Sequence, residues 1–176
     1  MRRLTKDEYF LSLAHLVATR ATCDRLWAGC VLVKDGEILA TGYNGAPSQM
    51  DECDEVGHLL VMGDDGREHC LRTVHAEGSA ILQIRKRVPN LLGVTAYINA
   101  TPCENCLSTL LHCGVKRVVC GALYRNGSRK EIVERLLLAW GAVMEYHPSP
   151  DITLSFGHEV QDAKRVNIVR VAKEGK

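Results

Sequence analysis

The chain is poor in aromatic residues, which make up 5% of its 176 positions, and it has no excess of one charge, with 22 Lys and Arg against 21 Asp and Glu. A neutral balance gives no general attraction for polyanions, and binding of single-stranded nucleic acid depends on aromatic stacking. There is also no apolar run long enough to cross a bilayer and no signal peptide at the amino end. We therefore predict a cytoplasmic protein that acts without nucleic acid or membrane.

Cysteine, in contrast, is abundant, with eight residues. A chain of this length builds a hydrophobic core without disulfides, and cytoplasmic thiols stay reduced, so metal binding or catalysis is the better explanation. Cys30, Cys113 and Cys120 fall on apolar faces of predicted elements and are expected in the core.

The hydrophobic pattern predicts one α/β domain over residues 1–150, followed by a C-terminal extension at 151–176. An amphipathic helix over 4–20 precedes a β-hairpin with an Asp-Gly turn. From residue 75 helices and strands alternate, which predicts a three-layer fold with a mixed sheet of about five strands and helices on both faces. The expected elements are strands at 30–33, 37–42, 94–99, 116–122, 142–146 and 165–172, and helices at 75–87, 102–113 and 128–140.

Residues 43–74 interrupt this alternation with glycines, a proline and clustered acids. We predict a long functional loop with one short helix near 51–61. A loop of that length inside a compact domain needs something to hold it in place.

Two short motifs begin successive helices, His75-Ala76-Glu77 and Pro102-Cys103-Glu104-Asn105-Cys106. Thr101 is expected to cap the second helix. Cys103 and Cys106 lie one helical turn apart and, with His75, form a three-ligand zinc set that leaves a fourth position for water, as in catalytic sites. Zinc lowers the pKa of such a water to about 7. Glu77 is then placed to move a proton from the water to the substrate.

This H-x-E…P-C-x-x-C order is the signature of zinc-dependent nucleobase deaminases. With the segments GYNGAP (42–47), CDEVGH (53–58), HCLRTVHAE (69–77) and GALYRN (121–126), the chain resembles the cytidine deaminase superfamily, and within it the deoxycytidylate deaminases. Ser79 departs from the usual pattern, HAExNAI, and this affects fine substrate contacts rather than the catalytic set.

The resemblance implies a substrate and its contacts. It implies hydrolytic deamination of dCMP to dUMP and ammonia, which feeds thymidylate synthesis. Asn44, Ala76 and Tyr124 are the implied substrate contacts. Arg25, Gly45 and Arg125 are candidate contacts for a phosphate or an effector. Related enzymes also imply a homo-oligomer, such as a hexamer, and regulation by dCTP and dTTP with Mg²⁺.

A second group of candidate ligands lies in the amino-terminal half: Cys23, Cys53, His69 and Cys70. A closed four-ligand zinc there would order the long loop, and some relatives have a structural zinc at corresponding positions. His58 competes with His69 as the fourth ligand, since adjacent His69 and Cys70 reach one metal only with a bent backbone.

Two alternatives remain open from the sequence. One is a deaminase that acts on dCTP or a modified cytosine nucleotide, because the phosphate-binding residues do not discriminate between them. The other is a non-catalytic zinc module, such as an accessory protein of DNA uptake. Glu77 distinguishes the second alternative, because a purely structural zinc has no use for that carboxylate.

Overall fold

The computed structural model describes residues 3–63, 66–85, 87–88, 90–121 and 130–148. The strands are β1 Gly29–Lys34, β2 Glu37–Tyr43, β3 Leu60–Met62, β4 Glu68–Cys70, β5 Thr95–Ile98, β6 Arg117–Cys120 and β7 Val143–Tyr146. The helices are α1 Lys6–Ala18, α2 Cys53–Val56, α3 Ala76–Ile84, α4 Glu104–His112 and α5 Lys130–Trp140. The extension at 151–176 and the strand expected at 165–172 lie outside the described residues.

Five strands form the central sheet in the order β2-β1-β5-β6-β7. β1 is antiparallel to β2 and β5, whereas β5, β6 and β7 are parallel. One face is covered by α1 through Phe10 and Ala14, which pack on Val31, Tyr97 and Val119. The other face packs against α3, α4 and α5 in a larger core cluster. The predicted three-layer α/β fold with a mixed sheet is confirmed.

Local sequence explains the first hairpin and the positions of the core cysteines. Asp35 and Gly36 both have positive φ angles, 53° and 88°, which a two-residue turn between twisted strands requires. Cys30 and Cys120 are fully buried, and Cys113 is partly buried against the core, as predicted.

The segment 43–74 contains more structure than predicted. In addition to α2, it forms a separate two-stranded sheet from β3 and β4. Three-residue strands are too short to show an alternating pattern in the sequence. An isolated hairpin is marginally stable in water, so its side chains must attach it to the rest of the domain.

The start of α4 also differs from the prediction. Its N-cap is Cys103, whose sulfur accepts a hydrogen bond from the Cys106 backbone N–H at 3.4 Å, so Thr101 does not cap the helix. A thiolate suits this position because the helix dipole and the unpaired N–H groups favour negative charge there.

Arg117 joins α1 to the far strands of the sheet. Its guanidinium donates to both carboxylate oxygens of Asp7, at 2.9 and 3.0 Å, and to both of Glu145, at 2.9 and 2.8 Å. These bonds lower the pKa of each carboxyl. These hydrogen bonds connect α1 to β6 and β7. They fix the position of the helix on the sheet more specifically than apolar packing does.

Candidate metal centres and active-site cleft

The amino ends of α3 and α4 meet at one edge of the sheet. His75 is the N-cap of α3, and its Nδ1 lies 3.6 Å from the sulfur of Cys103 and 3.4 Å from that of Cys106. Two ligands at about 2.0 and 2.3 Å from a tetrahedral zinc lie about 3.5 Å apart. His75 therefore lies at the distance from each cysteine sulfur that a shared zinc requires, and all three ligand atoms lie within 4.8 Å of one another.

The lowered pKa of Cys103 also favours binding of a cation between the two cysteines. Hydrogen bonds from the Cys106 thiol, the His75 ring and the Cys106 backbone N–H lower the pKa of Cys103 to about 4, against the opposing effect of burial. The same contact, together with burial, raises the pKa of Cys106. A metal ion between the sulfurs would displace the thiol proton.

Glu77 is buried beside this cluster, with 4% of its surface exposed. Burial raises the pKa of its carboxyl, and the nearby His75 opposes that shift. It lies in the first turn of α3, two residues after His75, and faces the same cleft. Within the part of the chain that the structure describes, no Arg or Lys pairs with this carboxylate, and a buried carboxylate of this kind is costly, which indicates a role beyond stability.

An open cleft with a cavity volume of about 140 Å³ lies in front of the cluster. The residues that line it come from both metal-ligand groups and from the sheet: Cys23, Arg25, Leu26, Ala28, Asn44, Glu68, His69, Cys70, Thr73, His75, Glu77, Ile98, Ala100, Thr101 and Cys103.

A second cluster forms one wall of the cleft. One ligand atom from each of four residues lies within 4.8 Å of the others, and the members are Cys23, Cys53, His58 and Cys70. The sulfurs of Cys53 and Cys70 are 3.6 Å apart, and Cys23 Sγ is 3.7 Å from His58 Nδ1. The other ring nitrogen of His58 lies 3.0 Å from an Asp24 carboxylate oxygen, which directs Nδ1 to the sulfurs. Three thiols and one imidazole match a closed structural zinc site.

The structure brings His58, and not the expected His69, to the three cysteines of this cluster. β4 is extended through His69 and Cys70, and consecutive side chains of a strand point to opposite faces. His69 therefore does not point with Cys70 to the cluster, although both residues line the cleft.

Hydrogen bonds favour a thiolate at Cys70. Burial opposes ionisation, but donors from the Thr73 hydroxyl, the backbone of Arg72 and Leu59, and the Cys53 thiol lower its pKa to about 6. Burial raises the pKa of the neighbouring Cys53 to about 11.

Of the three expected substrate-contact residues, only Asn44 lies at the cleft in the described part of the structure. Asn44 lines the cleft, and its amide accepts from the Ala28 N–H at 2.7 Å and donates to the Leu26 carbonyl at 2.7 Å. Ala76 is fully buried, with its methyl group in the core, and it is not among the residues that line the cleft. Tyr124 lies outside the described residues.

Of the candidate contacts for a phosphate or an effector, Arg25 lies at the cleft, whereas the backbone groups of Gly45 are already paired. Arg25 lines the cleft and donates to the Glu68 carbonyl at 2.8 Å. The Gly45 N–H already donates to the Val74 carbonyl, and the Gly45 carbonyl accepts from the Val74 N–H. Arg125 lies outside the described residues.

Sequence analysis missed Asn99, which comes directly after β5. Its buried amide accepts from the Gly29 N–H at 2.9 Å and donates to the Trp27 carbonyl at 2.8 Å. Asn44 and Asn99 thus hold consecutive parts of the segment that forms the cleft floor. An asparagine at a strand end predicts a turn in any sequence, so no local signal marks this role.

Comparison with known proteins agrees with this site. The family model described as the cytidine and deoxycytidylate deaminase zinc-binding region matches residues 4–122. The chain belongs to this family. The resemblance inferred from the two motifs is confirmed.

Among the relatives of this deaminase-family chain, deoxycytidylate deaminase of Mycobacterium phage D29 is 37% identical over 68% of this chain and 96% of its own length. ComE operon protein 2 of Bacillus subtilis (strain 168) is 37% identical over 72% of this chain, and deoxycytidylate deaminase of Saccharomyces cerevisiae is 35% identical over 71%. The matched part spans 64% and 40% of those two proteins, respectively.

A solved structure of the dCMP deaminase from cyanophage S-TIM5, in complex with dCMP and dUMP, has a TM-score of 0.66 and 26% identity. The match covers 84% of this chain and 100% of that one. The chain therefore shares the fold of that dCMP deaminase.

Proposed function

We propose that this protein hydrolyses dCMP to dUMP and ammonia. The observation that supports the proposal most is the buried carboxylate of Glu77 beside the His75, Cys103 and Cys106 cluster at the cleft. A structural metal site needs no such carboxylate, whereas hydrolytic deamination needs a group that moves protons. The phage and yeast relatives named above are deoxycytidylate deaminases.

The proposed mechanism assigns each step to a side chain. His75, Cys103 and Cys106 would hold zinc, which would supply Lewis-acid activation of water. Glu77 would accept one proton from the water that adds to C4 of the cytosine and deliver that proton to N3. Glu77 then transfers the second proton to the exocyclic amine, which leaves as ammonia while C4 keeps the oxygen.

Arg25 is the described residue best placed to meet the nucleotide phosphate. It lines the cleft, and its bond to the Glu68 carbonyl leaves further guanidinium donors. Asn44 is the proposed contact for the nucleoside. Tyr124, Arg125 and the backbone of Ala76 remain proposed contacts from the family resemblance.

We also propose a structural zinc in the second cluster, held by Cys23, Cys53, His58 and Cys70. Closed coordination by four side chains would attach the marginal β3–β4 hairpin to the segment before β1. Its role is to order the cleft wall and not to activate water.

The remaining parts of the proposal concern regulation and context. Effector binding of dCTP or dTTP with Mg²⁺ near Gly45 is supported by the neighbouring carboxylate of Glu52, which accepts from the Ala46 N–H at 2.6 Å. Assembly into a homo-oligomer is supported by Leu138, which is 84% exposed on α5.

The cellular context is also part of the proposal. Eight free thiols fit a reducing cytoplasm. We place the product, dUMP, in thymidylate synthesis. Residues 1–150 would form the single catalytic domain.

No helix within the described ranges combines the length and the apolar character needed to span a membrane.

The direct test is ammonia release with dCMP, dCTP, deoxycytidine and CMP, assayed in parallel with identification of the product. Preference for dCMP supports the proposal, and preference for dCTP keeps the chemistry but changes the phosphate contacts. No activity on any of the four with zinc bound would reject it in favour of another base or of a non-catalytic zinc module.

A substitution tests the role of Glu77. We expect Glu77→Gln to lower turnover by at least about 100-fold, since general acid–base catalysis contributes about 10²- to 10⁴-fold. Its zinc content should equal that of the wild type. Glu37→Gln is the matched control. Glu37 is exposed and lies at the turn of the β1–β2 hairpin, whereas the cleft residue Asn44 follows the other end of β2. Full activity of Glu77→Gln would refute the proton-transfer role.

A further inference from the structure

Thr73 lies between the two metal clusters. Its hydroxyl oxygen is 3.6 Å from the sulfur of Cys70 and 3.6 Å from that of Cys53. It also lines the cleft, and His75 follows two residues later. One side chain thus contacts the second cluster while its backbone leads into the first.

The backbone around Thr73 is held on its other side by the GYNG segment. Val74 and Gly45 exchange two backbone hydrogen bonds, of 2.8 and 3.3 Å. The residue before Thr73 is also anchored, because the Arg72 side chain donates to the Gly57 carbonyl at 3.1 Å. With these bonds in place, the Thr73 hydroxyl is directed at the sulfurs and has little freedom to turn away.

A hydroxyl at this position has a definite chemical use. A thiolate that binds zinc keeps lone pairs that accept hydrogen bonds, and such outer contacts orient the ligand. The hydroxyl has one proton, so it serves one sulfur at a time, and both sulfurs are at the same distance.

We propose that Thr73 is a positioning residue that orients Cys53 and Cys70 for zinc and so connects the second cluster to the segment that presents His75. This inference rests on the zinc proposed for the second cluster. It adds a role for a residue that touches neither the reacting atoms nor the metal.

The test compares Thr73→Val, which keeps the shape but removes the hydroxyl, with Thr73→Ser, which keeps the hydroxyl. Zinc-loaded proteins are equilibrated at a series of free zinc concentrations set by a chelator, and the zinc bound per chain is measured. As free zinc is lowered, each zinc ion dissociates in its own concentration range. Cys53→Ser removes a ligand of the second cluster and so identifies the range that belongs to that site. Outer-shell partners affect metal affinity by about 10- to 100-fold. We expect Thr73→Val to lose the second zinc at about 10- to 100-fold higher free zinc than the wild type, and Thr73→Ser to match the wild type.

Other results would overturn the inference in different ways. If the wild type binds two zinc ions and Thr73→Val holds both equally well, the hydroxyl has no role, and the second zinc stands. If Thr73→Ser fails as Thr73→Val does, packing rather than hydrogen bonding explains the effect. If the wild type binds one zinc, the second site and this inference fail together. Activity with dCMP, measured on the same samples, shows separately whether the proposed deaminase reaction holds.

Discussion

Gly42 allows the catalytic helix to lie directly on the sheet. A Cβ at this position would be 2.2 Å from the Ala76 carbonyl oxygen and 2.4 Å from the Ala80 nitrogen, both backbone atoms of α3. Ordinary contacts of a Cβ begin near 3.4 Å, so Gly42→Ala must push the start of α3 away by about 1 Å. His75 and Glu77 would move with that helix.

Gly29 is a matched control for this change. A Cβ there would be 2.1 Å from the Ala14 carbonyl oxygen and 2.6 Å from the Ala18 nitrogen, so an alanine displaces α1 by a similar amount. Overpacking of this kind costs about 1–3 kcal/mol of unfolding free energy, and we expect both variants to lose stability in this range. α1 carries none of the proposed catalytic groups.

The two variants should therefore differ in activity at equal cost in stability. Misplacement of reacting groups by about 1 Å can lower the rate about 100-fold, which is our expectation for kcat of Gly42→Ala. Gly29→Ala should change kcat by less than about 5-fold under conditions where it is fully folded. Denaturant titration gives the stabilities, and ammonia release from dCMP gives kcat. Equal kcat values for the two variants at matched stability would refute the argument that Gly42 positions α3.

Two further predictions concern the ion-pair cluster and the second metal site. Because Arg117 lowers the pKa of Asp7, the stability from this pair is present above the carboxyl pKa of the unfolded chain and is lost as pH falls through the lower folded pKa. We expect Asp7→Asn to be less stable than the wild type by about 1–2 kcal/mol at pH 7, with the difference shrinking below about pH 4; chemical unfolding across pH measures this, and a difference independent of pH would contradict it. For the metal site, His58→Ala should remove one zinc per chain, whereas His69→Ala should keep both, as measured by zinc content. The opposite pattern would restore the ligand expected from the sequence.

The members of the proposed catalytic cluster were predictable from the sequence because they fall in two short motifs, each at the start of one helix. Cys103 and Cys106 are one turn apart on any helix, and motif order supplies His75 and Glu77. The Asp35-Gly36 turn was equally predictable, since few residue pairs accept positive φ at both positions.

One member of the second cluster could be identified only from the tertiary structure. The sequence identifies its three cysteines, but the choice between His58 and His69 depends on the extended backbone of β4, whose three residues give no periodic signal. The proposed role of Thr73 likewise depends on the meeting of three separate segments.

The sequence by itself thus determined the α/β class, through its periodicity, and the family, through the resemblance carried by its motifs, and it predicted the ligand set His75, Cys103 and Cys106. Only the tertiary structure decided which histidine completes the second cluster, how Asn99 and Asn44 hold the cleft floor, and why Gly42 has no side chain. These depend on contacts between residues far apart in the chain, and such contacts arise only when the elements pack together.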